Sequence, residues 1–332
     1  MAVTKGLRPF RPAPPRGTFR AMVNRVLAHT GARYPIIQAP MGWIARSDLA
    51  AAVSRAGGLG MIETSSGEVD ACRAEIDAMV AAGLPFGVNL PLMFLRDESL
   101  VRYVADAGVR FVTTSAGSPA RYLPLLKEHG LTVYHVVPSV RAARKAVEAG
   151  VDGLVVEGAE GGGFKNPDEV SLLVLLQAVR ALTDLPLVAA GGIVDGRGMA
   201  AAFALGAEAV QMGTRFLSSA ESPVHGNFKQ AVVDADETGT VVVNRSGNAT
   251  MRVLKTDFST GLAATGGPAA SSLAAIKRLY FDGEMDASLA SAGQSAGLVD
   301  AVRPAADIIR DTMAGFRRAL ADAQARAGLL ED

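Results

Sequence analysis

The chain has 332 residues, enough for one large domain or a barrel with an appended lobe. Its 33 basic and 33 acidic residues cancel, so no general field draws in nucleic acid or an anionic membrane; aromatic residues, at 5%, are too few for a base-stacking platform. One cysteine, Cys72, excludes an internal disulfide and points to the reducing cytoplasm; its place in the helical pattern Glu68–Ala82 predicts a buried thiol, not a nucleophile.

Residues 1–19 mix Arg, Lys and Pro without an apolar stretch, unlike a secretory signal, and residues 1–30 are read as an N-terminal arm. Short apolar runs then recur at Pro35–Ala39, Leu59–Glu63, Phe86–Leu90, Arg110–Thr114, Thr132–Val137, Gly153–Glu157, Leu187–Ala190 and Ala209–Met212. Uninterrupted runs of this length predict parallel strands buried on both faces. Helical stretches lie between them and close on pairs such as Ala82-Gly83 and Ala149-Gly150, where glycine caps a helix C-terminus. Eight strand–helix units predict an α/β fold of the TIM (β/α)8 type. The longest apolar stretch of the helices, Leu172–Val179, contains Gln177 and is too short to span a membrane.

After Phe216 the pattern changes. A helix is predicted over Ser222–Ala235, an extended run over Thr238–Val243, weak periodicity to about residue 295, and a closing helix over Ala305–Ala327. The barrel is therefore assigned to 31–216 and 301–332. Residues 217–300 are read as a small lobe, inserted before the last barrel helix and covering the barrel mouth.

In such a barrel, chemistry sits at strand C-termini and in the loops after them. Those places hold Ala39–Gly42, Glu63–Ser65, Asn89, Thr114–Gly117, His135, Glu157–Lys165, Gly191-Gly192 and Gly213-Thr214. The two late glycine turns are the most telling, because bare amides there, with a helix N-terminus behind them, favour a phosphate. No metal-site pattern such as HExxH or paired CxxC occurs, nor a GxSxG elbow, so no metal is assigned and an organic cofactor is favoured.

Tyr34–Met41, Ala56–Gly60, Phe86–Leu90, Gly158–Gly163, Ala190–Ile193 and Gln211–Phe216 together resemble the nitronate monooxygenase (2-nitropropane dioxygenase) family. Flavin-dependent enoyl-thioester reductases share most of these elements. The resemblance runs from about residue 30 to 230 and implies a TIM barrel holding FMN non-covalently. By position it implies that Ala39, Pro40 and Met41 line the flavin ring, and that Asn89 meets its polar rim or ribityl chain. Gly191, Gly192, Gly213 and Thr214 would bind the phosphate. Ser115, Glu157, Gly162, Gly163 and Gln211 complete the cofactor set. Where both groups of relatives carry a histidine after paired glycines, this chain has Phe164, which is no base. His135 and Lys165 are the remaining candidates for catalytic roles, each weighed against a purely structural one.

The resemblance implies FMN-dependent oxidation of alkyl nitronates with O2. The alternative is an NAD(P)H-dependent reductase of C=C bonds in acyl-CoA thioesters, of the kind used in steroid-ring degradation, with NADH or NADPH as reductant. Loss of acid–base help costs about 10²–10⁴ in rate, so Phe164 penalises neutral nitroalkanes most and moves weight towards the reductase. Outside this class stand a flavin-free, phosphate-binding isomerase or lyase and a family member that binds without catalysis. The expected partner is a small molecule, nitronate or acyl-CoA thioester, with no nucleic acid and no membrane; a homodimer is compatible with the sequence.

Overall fold

The computed structural model describes residues 23–95, 98–245, 250–266 and 272–329. Its strands are β1 (Ile36–Gln38), β2 (Gly60–Ile62), β3 (Phe86–Pro91), β4 (Phe111–Ser115), β5 (Thr132–Val137), β6 (Gly153–Glu157), β7 (Gly163–Phe164), β8 (Leu187–Ala190), β9 (Ala209–Met212), β10 (Thr240–Val243) and β11 (Met251–Leu254). Eight of them pair in parallel in the order β1-β9-β8-β6-β5-β4-β3-β2. A parallel bridge between Ile37 and Leu59 joins the ends, closing a TIM barrel.

Side-chain parity divides the core. Ile37, Leu59, Met61, Phe111, Tyr134, Val155, Val188 and Ala209 fill the barrel interior as one buried cluster. Their strand neighbours, including Ile36, Val112, Val133 and Val156, point outward to the helices and join the larger cluster. Runs with no polar interruption thus reflect burial on both faces, while successive residues still serve different layers.

Helices Ser47–Arg55, Val69–Ala82, Ser99–Asp106, Leu123–Glu128, Val140–Ala149, Leu172–Arg180 and Gly196–Ala204 follow the successive barrel strands. The eighth comes late in the chain: Ala305–Gly328 packs between Gly196–Ala204 and Ser47–Arg55, completing the ring. Cys72 is buried within its helix.

Two sequence expectations need correcting. Residues 1–22 of the arm lie outside the described residues, but Arg25–Thr30 is a helix docked on the barrel floor. Its Val26 joins the interior cluster, and the Asn24 side chain donates to the Glu208 carbonyl at 2.6 Å. Second, the lobe sheet is not built from 217–300 alone. Its order is β10-β11-β7, all antiparallel, and β7 comes from the loop after β6. Val243, Val253 and Leu289 form its own small core. β11 escaped the sequence reading because its residues alternate in a segment rich in small polar residues.

Helix Gly196–Ala204 meets the closing helix backbone to backbone. A Cβ on Gly196 would stand 2.0 Å from the Phe316 amide nitrogen, whereas one on Gly315 would meet nothing nearer than 3.5 Å. Gly196→Ala is therefore expected to destabilise the fold by at least the 1–3 kcal/mol typical of overpacking, about, and Gly315→Ala to leave it unchanged or raise it by up to about 1 kcal/mol through helix propensity. Chemical denaturation of the two variants checks this asymmetry.

Candidate active site

The strand C-termini and the lobe enclose a cavity of about 760 Å³, within the range of small-molecule and cofactor sites. Parity decides which residues reach it. Beyond the interior cluster, inward positions include Ala39, Glu63, Asn89, Ser115, Val136, Glu157 and Gln211, and all but Glu63 of these line the cavity. Pro40, Met41, Gly162, Gly163, Gly191, Gly192, Gly213 and Thr214 line it too, as do Phe164 and Lys165.

Asn89 is locked in place on the floor. Its Nδ2 donates to Thr113 Oγ1 at 2.9 Å and its carbonyl accepts from Thr64 Oγ1 at 2.7 Å. Beside it, the amides of Gly191, Gly192 and Gly213 have no protein acceptor among the described residues. The Thr214 hydroxyl accepts from the Gly293 amide at 2.9 Å, which leaves its proton to point elsewhere.

Gly213 carries a further signal. Its φ of −98° suits any residue, and a Cβ there would meet only ordinary contacts at 3.5 and 3.9 Å. Neither backbone strain nor protein packing demands glycine at this place, and its bare backbone faces the cavity. Buried and unpartnered, Gln211 Oε1, Ser288 Oγ and Trp43 Nε1 also belong to cavity-lining residues, and such groups cost free energy unless something bonds them. A polar, phosphate-bearing cofactor fits this set. One part of the expected cradle differs: helix Gly196–Ala204 is capped by its own Asp195, whose carboxylate accepts from Arg197 and Gly198. Its N-terminus is already satisfied, so the donors left open there are the amides of Gly191, Gly192 and Gly213.

The family profile described as nitronate monooxygenase matches residues 24–100 and 93–315. The chain belongs to the nitronate monooxygenase family. It is accordingly a flavin-dependent oxidoreductase. Among curated proteins it is 37% identical over 231 residues to (3aS,4S,5R,7aS)-5-hydroxy-7a-methyl-1-oxo-octahydro-1H-indene-4-carboxyl-CoA dehydrogenase of Mycobacterium tuberculosis. That match covers 69% of this chain and 65% of the relative, a little under two thirds of its length. It is 32% identical over 258 residues to the nitronate monooxygenase of Pseudomonas aeruginosa, covering 64% of this chain and 74% of that one. Among solved structures it is similar to FabK from Thermotoga maritima, with TM-score 0.86, 38% identity, and 91% and 98% of the two chains covered. Nitroalkane oxidase from Streptomyces ansochromogenes superimposes with TM-score 0.79 at 27% identity, covering 90% of this chain and 99% of that one.

In this family member the candidate catalytic residues separate sharply. His135 does not line the cavity. It has the parity of Val133 and Val137, which face the helices, and its Nδ1 lies 2.7 Å from Thr114 Oγ1. Burial pushes its pKa down to about 4, so it is neutral at pH 7. Lys165 does reach the cavity wall, but its side chain is only 3% exposed and paired with Glu157, so the structural role weighed for it is the one seen. Glu169, the other charged residue of the wall, pairs with Arg252 and Arg245. Glu160 accepts from the Leu172 amide at 3.0 Å and caps helix Leu172–Arg180. Phe164 stands in β7 opposite Met251.

Several lining residues carried no role in the sequence reading. Trp43 adopts φ +62°, held by the hydrogen bond that its backbone N–H donates to Glu63 Oε1 at 3.1 Å. The other Glu63 oxygen accepts from the amides of Ser65 and Ser66, and Arg46 neutralises the carboxylate at 3.0 Å. This node sets the indole against Tyr280 of the lobe, ring centroids 6.4 Å apart. Met93, Phe94, Tyr280 and Ser288 reach the cavity only through tertiary contacts. Trp43, the chain's single tryptophan, lay next to the quoted Ala39–Gly42 run and was the one most open to detection.

Because the native state keeps His135 neutral while an unfolded chain protonates it near pH 6.5, its contribution is present above that pH. It is lost as pH falls towards 4, by about 3 kcal/mol in full. His135→Gln is expected to lose less unfolding free energy than the parent between pH 7 and pH 4, as read by denaturant titration at both pH values.

Proposed function

We propose that this flavin-dependent enzyme acts on an acyl-CoA thioester, using NADH or NADPH to reduce a C=C bond conjugated with the thioester carbonyl. The observation that carries this reading is that the described residues of the cavity wall include no free base. Phe164 occupies the place of the family histidine, His135 faces away, and Glu157, Lys165 and Glu169 are each ion-paired. A neutral nitroalkane must lose a carbon-bound proton, and no described lining side chain is placed to take it. Reduction of a conjugated C=C needs only a proton delivered to the carbon beside the carbonyl, for which a cavity hydroxyl or solvent suffices. The CoA thioester named in the Mycobacterium relative supports the same substrate class.

When bound, FMN supplies hydride transfer between nicotinamide and substrate. The protein's part is to hold and orient. The amides of Gly191, Gly192 and Gly213, with the Thr214 hydroxyl, would bind the phosphate. Ala39, Pro40 and Met41 would support the ring, while Asn89, Ser115 and Gln211 meet its polar edge, with Gly162 and Gly163 letting the loop approach closely. Glu157, fixed by Lys165, would have a carboxylate oxygen left to accept from the cofactor. Lobe residues Tyr280, Leu289 and Ala292 line the cavity on the side facing the barrel. Burial raises the Tyr280 pKa, so its hydroxyl stays protonated at neutral pH and can donate. Overall the substrate C=C gains hydride and a proton while NAD(P)H becomes NAD(P)+. A preformed nitronate, already an anion, is the second reading, because the lack of a base does not hinder its oxidation.

Anaerobic mixing of the flavin-loaded protein tests this. NADH or NADPH should bleach the flavin and a 2-enoyl-CoA restore it; bleaching by nitronates alone would refute the thioester reading. Gly213→Ala should fold and retain FMN weakly, whereas Gly213→Glu should fold and lose it, as bulk and like charge meet the phosphate. Full flavin occupancy in the Glu variant would remove this phosphate assignment. Phe164→His is expected to raise activity on neutral nitroalkanes, by up to about 10²-fold if the loop presents the imidazole to the substrate.

A further inference from the structure

Four apolar side chains crowd the cavity mouth, and they come from three separate places in the chain. Met93 and Phe94 follow β3, Phe164 follows β6, and Met251 is the β11 residue opposite Phe164. In the barrel, β4 and β5 stand between β3 and β6, so the Phe94–Phe164 contact crosses over two strand ends. The ring centroids are 5.7 Å apart with planes inclined at 44°. Both supports are firm: the Met93 amide donates to the Ala116 carbonyl at 2.9 Å, and the Lys165 amide to the Thr250 carbonyl at 2.8 Å.

These side chains are nevertheless open to solvent. Met93 is 68% exposed, Phe164 53% and Phe94 43%, although all three line the cavity. A contiguous apolar rim on a concave site marks where a ligand's hydrocarbon comes to rest, and methionine adapts such a surface to shape. Among the described residues, the charged side chains of the cavity wall, Lys165, Glu157 and Glu169, are all paired.

We propose that Phe94 and Phe164 form an apolar clamp over the mouth that grips the hydrocarbon body of the acyl group, making this an enzyme for bulky, apolar acyl thioesters. This rests on the thioester reading above. It gives Phe164 a positive role: the residue that displaces the family histidine supplies binding surface in its place. Selectivity then rises with the apolar area that the acyl group carries under the two rings.

Calorimetric titration of the flavin-loaded full chain with saturated butanoyl-, hexanoyl- and octanoyl-CoA tests the clamp without turnover. Affinity should rise along the series, by up to about fourfold for each methylene buried. Phe164→Ser and Phe94→Ser should flatten that rise, with unchanged melting temperatures because both positions are exposed, and Phe164→Leu should restore part of it. Equal affinities across the series, or a rise as steep in both Ser variants as in the parent, would overturn the clamp. A chain-length dependence abolished by the Ser variants, with no turnover of any 2-enoyl-CoA, would sustain the clamp and sink the reductase reading. Turnover of short and long enoyl thioesters with flat affinities would do the reverse.

Discussion

At one place in this molecule, three stretches of backbone meet with no room for side chains. A Cβ on Gly162 would lie 2.6 Å from the Ala292 carbonyl carbon, and one on Gly293 would lie 2.6 Å from the Glu160 carbonyl oxygen. A Cβ on Gly158 would fall 2.5 Å from the Leu172 amide. The glycine-rich loop is thus clamped between the helix it precedes and the segment returning from the lobe, with Gln294 donating to the Glu160 carbonyl at 2.8 Å. From this contact follows the course of the next residues. Gly163 and Phe164 are delivered to the lobe sheet, Lys165 turns inward to Glu157, and the Phe164 ring is left at the mouth.

That arrangement ties lobe to barrel more closely than an inserted cover requires. Arg252 of β11 is buried, donates to the Ala159 carbonyl at 2.9 Å and pairs with Glu169. Its burial alone would lower its pKa, and the Glu169 carboxylate works against that. On the opposite side, the Glu63 node holds Trp43 against Tyr280. Barrel and lobe therefore shape one cavity from two sides, with polar networks committed to positioning. Charge is present in the wall, yet it is neutralised locally, and the outer half of the cavity is left to apolar surface.

The barrel was legible because its strands are short apolar runs between capped helices, and the eight predicted runs agree with the eight barrel strands to within a residue or two. The glycine turns were legible for a related reason, since Gly191-Gly192 and Gly213 interrupt apolar runs at a place where side chains are normally welcome. His135 is placed by parity: Tyr134 and Val136 belong to the interior, so the residue between them does not. Lys165 could not be placed from its neighbours, as its burial depends on Glu157, eight positions back, and on a strand pairing with β11.

By itself, then, the order of residues determined the closed barrel, the position of the glycine amides and the absence of a histidine at position 164, since each rests on local backbone preference or residue type. Only tertiary structure decided which side chains share the cavity. Phe94 and Phe164 are 70 positions apart, and Trp43 and Tyr280 farther still; their meetings arise from barrel curvature and lobe docking. Contacts of that kind depend on the direction of a side chain and the path of a distant segment, neither of which leaves a periodic trace along the chain.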